Sequence, residues 1–256
     1  MKGWLCNVVR NTGKIKDTND AERNPKDYRD LSVIIPAAGM GRRMKSYGPK
    51  GLISLNGPSV LERQLKIIWK IYPKADITIV AGFQADLINE RIRKKYPVRI
   101  VRNTEYEDTN VARSLFLGLE SSLNNHALIV YGDLVFNSAA LKGLVGKGSK
   151  VVVDSDKDIR DEEVGVLFNE ETVTNFSYAI DKKWCQIAYL ARKEMSLFED
   201  ISSKKDHDRW FGYEVLNEVI EQGGSFLPVE QSGMKIAEID TPRDLRQALE
   251  VAVSTR

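Results

Sequence analysis

Apolar runs alternate with helical periodicity through the first half of the chain. Leu31 to Ile35 is a short continuous apolar run, which reads as a strand buried on both faces. Pro36, Ala37 and Ala38 carry it into a loop that holds Gly39 and Gly41, then Arg42, Arg43, Lys45 and Lys50. Ile53 to Asn56 is strand-like. Gly57-Pro58-Ser59 announces a helix with Leu61, Leu65, Ile68, Trp69 and Tyr72 on one face, stopped by Pro73. Ile77 to Ala81 predicts a second buried strand, Leu87 to Tyr96 a basic amphipathic helix, and Val98 to Val101 a third strand. A helix capped by Thr109 or Asn110, with Val111, Leu115 and Leu119 on one face, leads to a fourth strand over Ala127 to Tyr131. Strands alternating with crossover helices predict an α/β fold, a Rossmann-like mixed, mainly parallel sheet flanked by helices. Ligands of such sheets bind beyond the carboxyl ends of the strands.

Beyond Phe136 the texture changes. Strand-like runs at Lys150 to Val153, Val164 to Phe168 and Gln186 to Leu190 sit among charged turns, followed by helical stretches near 192–203 and 208–222. This predicts an antiparallel portion covering one side of the site. Phe226 to Val229 and Lys235 to Ile239 read as late strands, and Thr241-Pro242 opens a last helix through Leu245, Leu249 and Val253. Residues 1–30 are polar, carry the turn signal Asn24-Pro25 and show no period, so they read as an N-terminal extension to one domain over 31–256.

Composition is that of an ordinary globular chain, 42% hydrophobic and 29% charged over 256 residues. Thirty-eight basic against 36 acidic residues give a formal net charge of +2, which excludes a global field for nucleic acid or an anionic membrane and makes any anion site local. No apolar stretch approaches the roughly 20 residues of a membrane span. Cys6 and Cys185, the two cysteines, lack a likely metal ligand nearby and read as inert thiols, which suits a reducing cytoplasm. His126 reads as a strand flank and His207 as a surface residue.

The chemistry gathers at the glycine loop. Small residues at 37–41 let the backbone approach a ligand with its N–H groups exposed, and the cations beyond face a polyanion such as a nucleoside triphosphate. Met44 stands where a dinucleotide loop has its third glycine, and Gly51 follows Lys50 where a Walker A loop has Ser or Thr. Further on, Asp133 follows a buried strand and a glycine. Glu238 and Asp240 lie two apart where a strand gives way to a helix, and so point to one face. Aspartates from two strand ends suffice for Mg2+, which takes oxygen ligands. One of Glu238 and Asp240 would then join Asp133 as a magnesium ligand while the other orients a ligand.

Gly39, Gly41, Arg43, Pro49 and Lys50 fill, in order, the G-x-G-x-R, spacer, P-K motif of nucleotidyltransferases that join an NTP to a phosphorylated small molecule, and the chain resembles that family. In such a transfer two anions converge, so charge must be offset. Lys50 is then expected near the α-phosphate and Arg43 near the β- and γ-phosphates, with Arg42 and Lys45 in solvent. Asn103, Tyr106, Asn110, Ser114 and Leu115 match a second pattern, and Glu238-Ile239-Asp240 a closing E-I-D. On these residues the chain looks most like the CTP:phosphocholine cytidylyltransferases over about 31–252, and its loop is also similar to that of methylerythritol phosphate cytidylyltransferase. The resemblance implies a fold of the nucleotide-diphospho-sugar transferase type, CTP as substrate, Mg2+ on Asp133 and Asp240, and pyrimidine contacts from the Ala37, Ala38 and Gly39 backbone and from Ser114.

Tyr131 occupies a place that is commonly acidic in the phosphocholine group. An acceptor with a quaternary ammonium wants aromatic faces, which Trp184, Tyr189, Trp210, Phe211 and Tyr213 would supply, and a carboxylate, for which Glu214 or Asp208 is the candidate. The partners expected are therefore CTP and a small phosphorylated acceptor, with a homodimer through 150–210 left open. The alternatives are a sugar-1-phosphate nucleotidyltransferase using UTP, dTTP or GTP, and a nucleotide-binding regulatory subunit without turnover.

Overall fold

The computed structural model describes residues 28–155, 160–161, 163–169, 171–178, 180 and 182–253, with the side chains of 45 and 46 left aside. Most of the N-terminal extension expected over 1–30, Cys6 and the Lys45 side chain lie outside the described residues. Strands β1 (Leu31–Ala37), β2 (Asp76–Ala81), β3 (Arg99–Arg102) and β4 (His126–Val130) form the parallel half of a sheet, with β1 between β4 and β2. Strands β6 (Ser149–Asp154), β9 (Lys183–Leu190) and β10 (Phe226–Val229) complete its long path. Strand β9 runs antiparallel to both β4 and β6. Strands β7 (Val164–Asn169) and β8 (Thr172–Tyr178) make a hairpin that leaves the sheet where Gly165 pairs with Lys183. Strands β5 (Leu134–Phe136) and β11 (Ile236–Glu238) form a separate two-stranded piece.

Side-chain alternation along buried strands divides the core between two faces. Leu31, Val33 and Ile35 pack on one face, under α1 (Val60–Ile71) and the short α2 (Ala85–Ile88), which continues as a wide turn over Asn89–Arg93. Ile34 faces the other way, under α3 (Val111–Glu120), α4 (Arg192–Ser202) and α5 (Gly212–Glu221). Met44, Val135, Ala237 and Ile239 join α6 (Leu245–Val253) in a third cluster beneath the glycine loop. Helix α1 starts where the Ser59 hydroxyl and the Glu62 carboxylate satisfy each other's backbone N–H groups.

The mixed, mainly parallel sheet flanked by helices is the architecture that the hydrophobic pattern predicts. Ile53 to Asn56 departs from it: a single bridge, Ser54 to Ser59, closes a tight turn in which Asn56 and Gly57 take positive φ. His207 is 9% exposed and not at the surface. Its Nδ1 lies 2.9 Å from the Ile201 carbonyl and its ring is stacked on Trp210.

Candidate active site

The loop after β1 opens a cleft of about 540 Å3 at the carboxyl ends of the parallel strands. Gly41 takes φ of 56°, a left-handed turn that glycine adopts without a Cβ penalty. The Met44 N–H then donates to the Gly41 carbonyl, starting the short helix Arg42–Tyr47. Nothing stands within 4 Å of where a Gly39 side chain would be, so the backbone there is open to a ligand. Ala38, Gly39 and Gly41 line the cleft. Ala37 instead packs half-buried against the core, where a Cβ on Gly132 would meet it at 2.9 Å.

Asp133 owes its position to that close approach and to α1. The buried Gln64 side chain donates to the carbonyls of Tyr131 (2.8 Å) and Leu134 (2.7 Å), holding the turn on which Asp133 stands. The Ile239 N–H donates to the Asp133 carbonyl at 3.0 Å, which locks this turn to the end of β11. As a result Asp133, Glu238 and Asp240 each offer a carboxylate oxygen within 4.8 Å of the others. Asp240 is fixed in turn by Asp244, whose Oδ2 accepts from the N–H groups of Asp240 (2.9 Å) and Thr241 (2.6 Å).

Cations face these carboxylates. Lys50 Nζ lies 3.1 Å from Asp133 and 2.7 Å from Asp240, and Arg43 lies 3.1 Å from Asp240. Burial pulls the Lys50 pKa down, but the charges of Asp133 and Asp240 outweigh it and hold the ammonium above its ordinary value. The Glu238 carboxyl is pushed up by burial and by Asp133 and Asp240. Three hard oxygen donors gathered this closely fit a divalent cation such as Mg2+.

Asn110 and Ser114 line the cleft as well. Asn110 caps α3, its Oδ1 accepting from the Val111 N–H at 2.9 Å, whereas Thr109 turns back to the Glu105 carbonyl. The buried Asn103 amide reaches Thr109 (3.0 Å) and Ser114 (3.2 Å), so it folds the segment that presents both.

The opposite wall carries Trp184, Phe211, Tyr213 and Glu238, with Tyr178 stacked edge-on against Tyr213 at 5.6 Å. Tyr189 and Trp210 are elsewhere. Tyr189 is buried on the other face of the sheet, beside His126. Trp210 packs on His207, and its carbonyl accepts from the Ala112 N–H. The acidic partners expected for an acceptor cation are also used otherwise: Asp208 faces Arg113 at 3.7 Å, and Glu214 caps α5 through the Phe211 N–H. Three further residues of this wall, Glu163, Lys183 and Gln186, were not singled out by sequence reasoning. Lone charges at strand starts resemble any solvated edge. The one available signal was a polar Gln186 interrupting the apolar run from Trp184 to Leu190.

Known proteins share this architecture. The fold is similar to LicC, the CTP:phosphocholine cytidylyltransferase from Streptococcus pneumoniae, with a TM-score of 0.71 and 22% identity, covering 87% of this chain and 99% of that one. It is similar also to the inositol-1-phosphate CTP transferase from T. maritima, with a TM-score of 0.73 and 20% identity, covering 88% of this chain and 97% of that one. In sequence, the bifunctional protein GlmU of Synechococcus sp. (strain JA-3-3Ab) is 32% identical over 127 residues. That match takes in 49% of this chain, and the chain covers only 20% of the length of that relative. The profile of the MobA-like NTP transferase domain matches residues 33–199, from β1 into α4, and includes the glycine loop, Lys50 and Asp133. On that match the chain belongs to the family of MobA-like NTP transferase domains.

Proposed function

We propose that the protein is a magnesium-dependent nucleotidyltransferase that moves CMP from CTP to the phosphate of a small phosphorylated alcohol, phosphocholine being the leading candidate, with release of pyrophosphate. The observation that carries this reading is the meeting of Arg43 and Lys50 with Asp133, Glu238 and Asp240 at the mouth of an open glycine loop. An oxygen of the acceptor phosphate attacks the α-phosphorus, a new P–O bond forms, and the α–β bridging bond breaks with its electron pair leaving on pyrophosphate. The acceptor phosphate is already ionised at neutral pH, so the step needs no protein base. Consistently, both His126 and His207 lie away from the cleft.

Each residue follows from its place. The Ala38 to Gly41 backbone cradles the phosphates. Lys50, 17% exposed in its side chain, sits deep enough to meet the α-phosphate, and Arg43, 64% exposed, reaches the outer β- and γ-phosphates. Asn110 and Ser114 stand where the base enters. Asp133 and Asp240 would hold Mg2+, with Glu238 beside them, and the ion supplies charge neutralisation for the phosphates it meets. The aromatic wall of Trp184, Phe211 and Tyr213 receives the alcohol portion. CTP is supported by the use of CTP by two proteins of the same fold and by the short spacer between Arg43 and Pro49.

The test is pyrophosphate release with CTP, UTP, GTP, ATP or dTTP and magnesium, against phosphocholine, phosphoethanolamine, methylerythritol phosphate, glycerol phosphate, inositol phosphate and sugar 1-phosphates. Release with CTP and one phosphorylated alcohol is expected, and Lys50→Ala should lower kcat about a hundredfold or more. Release only with UTP or dTTP and a sugar 1-phosphate would overturn the choice of substrates. Silence throughout, with no CTP binding, would overturn the nucleotidyl-transfer reading itself.

A further inference from the structure

Four cationic side chains line the cleft among the described residues, and three of them, Arg42, Arg43 and Lys50, come from the segment after β1. The fourth is Lys183, on the opposite wall at the start of β9. Its side chain is 7% exposed, and an ammonium that deep keeps its charge only among anions. Two are present: Glu163 pairs with Nζ directly, and Glu238 Oε2 stands 3.7 Å away. Glu163 has other donors, since the Arg160 N–H and guanidinium each lie 3.0 Å from it. Glu238 belongs to the carboxylate trio with Asp133 and Asp240.

This arrangement raises an electrostatic demand. On the proposed reaction, an acceptor phosphate that attacks an α-phosphorus held by Lys50 approaches the carboxylate trio, in which Glu238 adds a third carboxylate to the cleft lining. Arg43 and Lys50 are engaged on the triphosphate side with Asp133 and Asp240. Among the described residues, Lys183 is the cation paired with Glu238. The β7–β8 hairpin is tied to β9 also through backbone pairing of Gly165 with Lys183 and the Val166 N–H donating to the Lys182 carbonyl at 2.8 Å, so its attachment does not rest on the ammonium alone.

We propose that Lys183 is the counter-charge for the acceptor's phosphate, a binding residue that makes this half of the cleft select phosphorylated over unphosphorylated alcohols. The inference rests on the nucleotidyl-transfer reading and adds to it the residue that receives the second substrate. With no acceptor bound, Glu163 and Glu238 hold the ammonium in place. The longer contact, to Glu238, is the one an incoming phosphate oxygen shares. Glu163 competes with the phosphate for the same ammonium, so removing its charge should act in the opposite direction.

Inorganic phosphate is the minimal probe, because every acceptor of this class carries it. Calorimetric titration of phosphate into the full-length protein, with magnesium and a CTP analogue bearing a methylene bridge between the α- and β-phosphorus, and again without the analogue, compares wild type with Lys183→Met, Lys183→Arg and Glu163→Gln. Lys183→Met should bind phosphate about tenfold more weakly or worse, Lys183→Arg should stay within about threefold of wild type, and Glu163→Gln should bind more tightly. Affinity for the CTP analogue should not change in any of them. Equal phosphate affinity in wild type and Lys183→Met, or no phosphate binding by wild type, overturns the proposal. If Lys183→Met does not fold, weaker or unchanged phosphate binding by Glu163→Gln overturns it instead. Failure of the nucleotide reading shows separately, as a wild-type protein that does not bind the analogue.

Discussion

Gln186 lies inside β9 with φ of 56°, in the left-handed region that costs a residue with a side chain about 1–2 kcal/mol. Its pairing explains why. Val151 pairs with Ala188 and Val153 with Trp184, so β9 carries two more residues than β6 across this step. On the other edge, β4 ends its pairing at Val130 with Ile187, and the Tyr131 N–H reaches the Gln186 carbonyl at only 3.4 Å. The bulge is where the two strands part and the cleft opens, a common use of bulges near functional sites. Gln186→Gly should therefore leave stability within about 0.5 kcal/mol, strain relief offsetting the added freedom of the unfolded chain, whereas Gln186→Val should lose about 1–2 kcal/mol. Urea denaturation checks the order, which is the reverse of that at a regular strand position. A Val variant as stable as the Gly variant would mean that the bulge does not require this conformation. Nothing in the residue type glutamine announces a positive φ, since tertiary pairing imposes it. The misplacement of Tyr189 has a simpler origin, for it stands five residues from Trp184 and an odd separation along a strand puts two side chains on opposite faces.

At the scale of elements, the cleft depends on how closely α3 lies against the sheet. A Cβ on Gly118 would stand 2.4 Å from Ile34 Cγ2 and 3.1 Å from Val80 Cγ2, both in fully buried side chains. Helix propensity alone favours Ala over Gly by about 1 kcal/mol, but overpacking costs about 1–3 kcal/mol. Gly118→Ala should therefore destabilise, and because α3 carries Asn110 and Ser114 at its cleft end, it should also weaken nucleotide binding. Thermal unfolding and nucleotide titration read the two effects. A more stable variant would show that α3 has room to move. The N-terminus of α3 is not left open for a phosphate: the Asp208 and Trp210 carbonyls accept from the N–H groups of Asn110 (2.7 Å) and Ala112 (3.2 Å). Such a contact, about a hundred residues apart in sequence, has no local signature. Strands β1, β2 and β4 were legible because parallel strands buried on both faces read as apolar runs, and the glycine loop was legible because glycine and cations follow one of them directly. The opposite wall of the cleft was not, because it is assembled from β7, β9 and the start of α5, whose exposed edges mix charge and aromatic residues as any surface does.

Across the whole molecule, the two halves of the cleft are joined by charge as well as by the sheet. Asp244, which fixes Asp240, lies 4.0 Å from Arg160. Arg160 holds Glu163, Glu163 holds Lys183, and Lys183 faces Glu238. This chain of alternating charge runs from the start of α6 to the carboxylate trio and binds the hairpin segment to the rest. Its acid sensitivity follows from Glu163. Burial alone would raise that carboxyl, but the Lys183 ammonium and the Arg160 backbone and side chain bring it from an ordinary 4.5 down to about 2. A carboxyl depressed in the folded state binds fewer protons folded than unfolded between those two values, so its stabilisation is fully present above 4.5 and is lost as pH falls to about 2. Glu163→Gln removes the ionisable group. Its stability should thus fall below that of wild type by a constant amount from pH 5 to 7, and the gap should close as the pH drops from 4.5 toward 2. Unfolding followed by circular dichroism at a series of pH values measures the gap directly. A gap that does not change with pH would mean that Glu163 contributes through packing and neutral hydrogen bonds, and that the ammonium of Lys183 is held without it.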